Sequence, residues 1–298
     1  TPLAARRAPP ICRCMTDAAA PPRAAALLAR LARLDPLKRI LAAETADRPP
    51  VQARRERRLA LLWGALCHGT FGLAALSMLL GLGAGMQLGL GVVPQPWAWA
   101  ANALLLAQFP LGHSILLTRG GNRVLARLAP GDEATGRTLA TSTYALIASL
   151  QLIALFWLWT PSGVVWWQAS GGWLALVLAA YAAAWAFLAK ASWDAGAEVQ
   201  SGLLGWLSLY RGARPAFPPM PTRGTFRAMR HPIYLAFALV TWAVPVWTPD
   251  QLFAAAALTA YCALGPRLKE RRLDRLFGDA WRAYRAKTPF WSLRPSPR

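Results

Sequence analysis

The chain has 298 residues, 33 Lys plus Arg against 13 Asp plus Glu, and a formal net charge of +20. Only 15% of residues are charged and 55% are hydrophobic, which excludes intrinsic disorder for most of the length. The charge alone fits a nucleic-acid binder and the apolar excess fits a membrane protein, so the placement of the basic residues decides between them.

Residues 1–59 form a basic tail rich in Ala, Pro and Arg. Leu27, Leu28, Leu31, Leu34, Leu37 and Leu41 fall near helical spacing with Arg30, Arg33, Lys38 and Arg39 between them. That pattern fits a basic helix on an anionic leaflet, and Pro36 in its middle fits a loosely ordered tail equally well. No apolar stretch precedes Ala60, so no signal peptide is expected. Six apolar stretches follow: Ala60 to Leu82, Pro96 to Thr118, Leu139 to Thr160, Gly171 to Leu188, Ile233 to Trp247 and Gln251 to Leu264. The last two fall short of the ~17–25 residues of an ordinary span and read as a tight hairpin joined at Pro249–Asp250. Residues 265–298 form a basic amphipathic helix and tail. The expected architecture is an all-α integral membrane protein of about six transmembrane helices. A tail occupies 1–59, a helical domain 60–264, and a C-terminal segment 265–298.

The basic residues sort cleanly among the connections. The N-terminal tail holds 13, residues 119–138 hold four, residues 189–232 hold six and the C-terminal segment holds 10. Connections 83–95, 161–170 and 248–250 hold none. Alternate connections therefore carry all the Lys and Arg, which by the positive-inside rule puts both termini in the cytoplasm. Trp97, Trp99, Trp157, Trp159, Trp166, Trp167, Trp173 and Trp247 lie at the charge-free ends of the stretches and read as an outer aromatic belt. A nucleic-acid binder would interleave stacking aromatics with the basic residues, so no nucleic-acid partner is expected. A transporter would show internal repeats or mid-span breaks, and only Pro110 and Pro245 interrupt the stretches. The four cysteines have no C-x-x-C spacing, so neither a disulfide framework nor a metal site is expected. Gly81-x-x-x-Gly85 and Gly85-x-x-x-Gly89 permit close helix approach but leave the oligomeric state open.

Three histidines, His68, His113 and His231, fall toward the cytoplasmic ends of their stretches, where polar groups in lipid carry a functional prior. His231 stands in Arg230-His231-Pro232-Ile233-Tyr234, with Pro232 suited to a first helical position. Such a helix start offers free N–H groups to an anion, although an ordinary cytoplasmic flank would look the same. Further on, Glu270, Leu273, Phe277, Trp281 and Tyr284 step by three and four residues and would share one helical face. A carboxylate on that apolar face needs a cationic or hydrogen-bonding partner.

Arg230-His231-Pro232-x-Tyr234, a short hairpin, then Glu270-x-x-Leu273-x-x-x-Phe277-Gly278 and Tyr284 resemble the isoprenylcysteine carboxyl methyltransferase family over residues 223–291. Gly112-His113-Ser114 with Arg119, Ser142-Thr143-Tyr144 with Ala148-Ser149-Leu150, and Arg211-Gly212 extend the likeness to the methanethiol S-methyltransferase group over residues 108–291. The resemblance departs at Lys269, where the family often has a second Glu. It implies a membrane enzyme of the bacterial inner membrane that uses S-adenosylmethionine, with its site facing the cytoplasm. It implies cofactor contacts from Arg230, His231, Pro232, Tyr234, Glu270 and Leu273, and catalytic parts for His113, Tyr144 and Glu270. The acceptor expected is a small thiol or another apolar molecule. Carboxyl or nitrogen methylation of a lipid-like substrate, or a non-catalytic relative linked to nitrogen-oxide metabolism, are the alternatives. A thiol must lose its proton before it attacks. His113, or Tyr144 through a water, is the candidate acceptor, and a packing hydrogen bond from His113 to Ser142 or Tyr144 is the competing reading.

Overall fold

Hydropathy and end signals together place the helices of the computed structural model, which describes residues 39–41, 43, 45 and 49–291. Helix α1 (Pro50–Gly83) starts well upstream of the apolar stretch, so Arg54, Arg55, Arg57 and Arg58 continue the same helix into polar surroundings. Helix α2 (Trp97–Leu116) matches the second stretch. The Thr118 hydroxyl then accepts from Gly121 N at 3.1 Å and starts α3 (Arg119–Leu128), bent 96° from α2. A side chain at Gly121 would meet the Ile115 carbonyl oxygen at 2.3 Å, so the sharp corner requires glycine there. Asp132 caps α4 (Glu133–Trp157) by accepting from Thr135 N at 2.8 Å. Helix α5 (Gly171–Asp194) follows, then three short helices, α6 (Ala197–Gln200), α7 (Leu203–Arg211) and α8 (Thr225–Ala228). Helix α9 (Pro232–Trp242) opens on proline, and Thr248 caps α10 (Pro249–Phe277) by accepting from Gln251 N at 2.9 Å. Gly278, at φ 51°, ends α10 and begins α11 (Asp279–Lys287).

Helix α4 is central to one half, packed on α1, α2, α3 and α7, while α9 is held between α5 and α10 in the other. Helix α10 also touches α2 and so joins the halves. The core between them contains Leu82, Leu106, Leu155, Phe156, Trp159, Tyr181, Val240 and Ala254. Leu62, Leu104, Trp173 and Leu176 point outward and are exposed, as a lipid-facing surface demands. Among the described residues the fold is all-α apart from a ribbon of two two-residue strands and an isolated bridge between Thr45 and Ala213. Helices α1, α4 and α5 are long and apolar enough to cross a membrane, and α2 with α3 makes a fourth if the bent pair counts as one span. That is fewer than the six stretches read from sequence. At ~1.5 Å per residue the 11 residues of α9 fall short of a ~30 Å hydrocarbon layer.

The three connections free of Lys and Arg meet at one end. Asp250, 1% exposed, accepts from Gln87 Nε2 at 2.9 Å, from Trp159 Nε1 at 3.0 Å, from Ser162 N at 3.0 Å and from the Ser162 hydroxyl. Beside it, β1 (Trp167–Gln168) pairs antiparallel with β2 (Val246–Trp247), a contact between distant connections that periodicity did not predict. Trp97, Trp166 and Trp173 are exposed, as a belt requires, but Trp159 is fully buried and belongs to the core. At the opposite end Arg39 Nε donates to the buried carboxylate of Glu198 at 3.2 Å, and Arg211 donates to the carbonyl of Ile40. The end of the N-terminal tail is thus tucked against α6 and α7. Leu27, Leu28, Leu31, Leu34 and Leu37 lie outside the described residues.

Candidate active site

The site begins at the start of α9. Pro232 occupies the first turn and is buried, and His231 at the N-cap is non-helical, with φ −129° and ψ 53°. The segment after α11 closes over this start. Arg230 N donates to Pro289 O at 2.9 Å, Arg230 Nη1 donates to Arg285 O at 3.0 Å and to Thr288 O at 2.9 Å, and Trp291 Nε1 donates to His231 O at 3.1 Å. The Phe290 ring lies 4.7 Å from that of His231, and the Arg230 guanidinium lies over Phe290 at 5.9 Å. Tyr284 donates to the Phe226 carbonyl at 2.6 Å, which ties α11 to α8.

Glu270 of α10 reaches into this knot. Its Oε1 is 2.8 Å from His231 Nε2 and 3.1 Å from Arg230 Nε, and its Oε2 is 3.6 Å from Arg285 Nε. An ionised carboxylate only accepts, so the His231 proton sits on Nε2. His231 Nδ1 is then a buried acceptor with no partner. Two guanidiniums and an imidazole hold one carboxylate at a side-chain exposure of 14%, a strong arrangement if intact and a costly one if any member is removed. Next to it opens a groove of about 410 Å³ lined by Arg267, Glu270, Arg271, Asp274, Arg282 and Arg285.

A second group lies between α2, α4, α9 and α10. The His113 and Tyr144 rings are 4.9 Å apart, and Phe109 packs 5.3 Å from His113. Tyr144 donates to the His113 backbone carbonyl at 3.4 Å, leaving His113 Nδ1 buried without a partner. Ser142 does not serve His113, because its hydroxyl donates to Gly202 O at 2.6 Å and accepts from Trp206 N at 2.9 Å. Tyr234 adjoins the Glu270 knot. Its ring meets His231 edge-on at 5.8 Å and Tyr261 at 6.1 Å, and Lys269 Nζ lies 5.6 Å from its centre. Burial and the neighbouring Arg272 push the Lys269 ammonium down to about 8.

Of the residues expected from sequence, Arg230, His231 and Glu270 come into direct contact and Tyr234 adjoins them. His113 pairs with Tyr144 one layer inward. Leu273 is half-buried three residues beyond Glu270 on α10. The expected single stripe from Glu270 to Tyr284 is corrected by the break at Gly278. Phe277 is 37% exposed, while Trp281 is 2% exposed on a separate helix. Arg285, Thr288, Phe290 and Trp291 were not anticipated, since a chain crossing rather than a spacing brings them in, and neither was Tyr261, which lies on α10 itself.

No family model matches the chain, and no solved structure matches it. Methanethiol S-methyltransferase 1 of Bradyrhizobium diazoefficiens is 32% identical over 187 residues, which are 62% of this chain and 64% of that protein's own length. Methanethiol S-methyltransferase 2 of the same organism is 30% identical over 188 residues, 63% of this chain and 70% of that protein. The chain belongs to the methanethiol S-methyltransferase family. A further member, methanethiol S-methyltransferase of Crocosphaera subtropica, is 26% identical over 240 residues, 78% of this chain and 91% of that protein.

Proposed function

We propose that this chain is a membrane-embedded methyltransferase that moves a methyl group from S-adenosylmethionine to a small thiol such as methanethiol. The carrying observation is the Glu270 knot beside an open groove, with Tyr234 against His231 and a buried His113–Tyr144 pair between α2 and α4. The donor fits the groove chemically. Glu270 and Asp274 are the right charge for its ammonium, and Arg267, Arg271, Arg282 and Arg285 are right for its carboxylate. The volume lies within the ~300–1,000 Å³ of ordinary small-molecule sites. S-adenosylmethionine, when bound, supplies an electrophilic methyl on a positively charged sulfur.

The chain's own part is to bind, align and exclude water. Glu270 and Asp274 hold a cationic head, Arg230 and Arg285 fix Glu270, and Tyr234 forms the wall between groove and inner layer. His113, with its free Nδ1, takes the proton from a thiol seated against Tyr144. His113→Ala is expected to lower kcat at saturating thiol by about 100-fold with KM for the donor unchanged. Unchanged turnover would remove His113 from the proton transfer.

The same reading has six crossings, with α9 and α10 as a thin hairpin, both termini cytoplasmic and the site open to the cytoplasm of a bacterial inner membrane. The gathering of every Lys/Arg-free connection at the Asp250 end supports it. A Val92→Cys variant, at a position 91% exposed beside that end, should react with a membrane-impermeant thiol reagent in cells with an opened outer membrane. Arg223→Cys should react only after the inner membrane is breached, and the reverse order would invert the topology.

The deciding experiment incubates purified protein in detergent with labelled S-adenosylmethionine and, in separate arms, methanethiol, a prenyl-cysteine and an amine. Labelled dimethyl sulfide is expected from the first arm. A folded preparation that binds no S-adenosylmethionine by calorimetry would end the enzyme reading.

A further inference from the structure

Among the described residues nothing covers one face of α3. The helix leaves the end of α2 at 96°, across the corner that Gly121 permits. The 20 residues of α2 measure about 30 Å at ~1.5 Å per residue, the depth of a hydrocarbon layer, so a helix at right angles to it runs along the membrane surface. Helix α3 cannot roll about its own axis. It packs on α4 so closely that a side chain at Gly136 would meet the Ala126 carbonyl oxygen at 2.0 Å. With that orientation fixed, three stripes follow one another round the helix at ~100° per residue. Gly121 and Leu125 are buried against the protein. Next come Val124, 46% exposed, and Leu128, 58% exposed. Beyond them stand Arg119, Arg123 and Arg127, all exposed. Helix α3 contains no acid, and among the described residues none of these arginines forms an ion pair. Of the acids that follow, Asp132 caps α4 and Glu133 is bonded to Arg137.

We propose that α3 is an interfacial anchor that binds the anionic phospholipid headgroups of the leaflet in which α2 ends. The apolar stripe continues the lipid-facing surface of α2, where Leu111, Ile115 and then Leu117 are exposed. Such a row is a cost in water and a gain against acyl chains. The arginine stripe adjoins it on the side away from the protein, and so stands at the level of the lipid phosphates. Its members are four residues apart, about 6 Å along the axis, and have no carboxylate of their own to neutralise them. A phosphate oxygen pair accepts two parallel hydrogen bonds from a guanidinium, and each basic side chain near an anionic surface adds to the attraction. Three on one stripe therefore favour acidic lipids over neutral ones. The occupant is a lipid because the corner already holds the arginines in the headgroup layer. Anchored there, α3 sets the depth at which α2 ends, just after His113. This inference is independent of the methyltransferase reading.

The test reads the lipid at the helix itself. Val124→Cys carries a bimane fluorophore in the full chain, with Cys12→Ser and Cys14→Ser to remove the tail thiols, while Cys67 and Cys262 are buried. The protein is reconstituted into phosphatidylcholine vesicles that hold a small, equal fraction of nitroxide-labelled phosphatidylcholine or nitroxide-labelled phosphatidylglycerol. The nitroxide sits at the headgroup end or the tail end of the acyl chain. Quenching should be stronger from the headgroup end, and about threefold or more stronger from phosphatidylglycerol than from phosphatidylcholine. Arg119→Gln, Arg123→Gln and Arg127→Gln together should abolish that excess and leave the depth unchanged. Arg119→Lys, Arg123→Lys and Arg127→Lys together should keep it, which separates lost charge from a disturbed fold. Equal quenching by the two lipids in the parent protein overturns the proposal, and so does an excess that the three glutamines leave intact or the three lysines remove. Quenching strongest from the tail end would sink α3 into the hydrocarbon and overturns it. A fluorophore that no lipid quenches overturns it too, and gives the face to water or a protein partner.

Discussion

Glu270→Gln should lower kcat/KM for S-adenosylmethionine by roughly 100- to 1,000-fold and weaken its binding to a similar degree, in a protein that still folds. The substitution keeps the shape of the side chain and removes its charge. The wild-type carboxylate faces three donors, at 2.8 Å from His231, 3.1 Å from Arg230 and 3.6 Å from Arg285. An amide oxygen in the place of Oε1 could still face His231 and Arg230, but its NH₂ would turn toward Arg285, and the negative charge that balances both guanidiniums would be gone. Removing one partner from a half-buried cluster of this kind costs about 3–5 kcal/mol, and about 1.4 kcal/mol corresponds to each factor of ten. Most of that loss should fall on binding rather than folding. The groove beyond Glu270 already carries Arg267, Arg271, Arg282 and Arg285, and without the carboxylate it would repel a cationic donor. Calorimetric titration with S-adenosylmethionine, beside turnover of methanethiol, measures the effect. Normal binding by Glu270→Gln would show that the donor is held elsewhere. A fall in kcat alone would move Glu270 from holding the donor to positioning the acceptor.

How far that knot could be read from the sequence differs by residue. Glu270 announced its need for a partner, because it fell among Leu273, Phe277 and Trp281 at helical spacing while its arginine neighbours did not. Arg230 and His231 were legible from the proline that follows them. Arg285 and Trp291 were not, since they arrive through a chain reversal at Gly278 and a return under α9 that no local period encodes. The glycine was visible, but the three-and-four stepping ran across it and masked the break. The same limit applies to the fold. Apolar runs set α2 and α4 within a few residues, because lipid-facing helices are defined by what they exclude. The 96° corner between α2 and α3 turns on the close approach of Gly121 to Ile115, a contact rather than a composition. Trp159 and Trp166 look alike in sequence, but Trp159 bonds Asp250 and packs into the core beside Phe253, while Trp166 is exposed.

Asp250 should therefore govern stability as Glu270 governs binding. Asp250→Ala is expected to lower the melting temperature in detergent by roughly 6–12 °C, from a loss of about 3 kcal/mol at 2–4 °C per kcal/mol. The carboxylate is 1% exposed and is held by neutral donors: Gln87 at 2.9 Å, Trp159 at 3.0 Å, and the backbone and hydroxyl of Ser162. These donors come from two connections, and Asp250 ties both to the third, beside the β1–β2 ribbon, a few backbone bonds and the Thr248 hydroxyl that donates to Gly85 O at 2.6 Å. Each donor left buried without a partner costs ~1–3 kcal/mol, and Gln87 cannot simply turn over, because its oxygen accepts from Gly163 N at 3.1 Å. Asp250→Asn should fall between, since its NH₂ must confront either Trp159 or Ser162. The distinguishing feature is the other end of the helix. Glu270 stands 20 residues farther along α10, about 30 Å at 1.5 Å per residue. Below its melting point, then, Asp250→Ala should bind S-adenosylmethionine with wild-type affinity. A weakened affinity at temperatures where circular dichroism shows a fully helical protein would mean that the charge-free end communicates with the site through α10. An unchanged melting temperature would mean that water replaces the carboxylate, and that this end of the bundle is open to solvent.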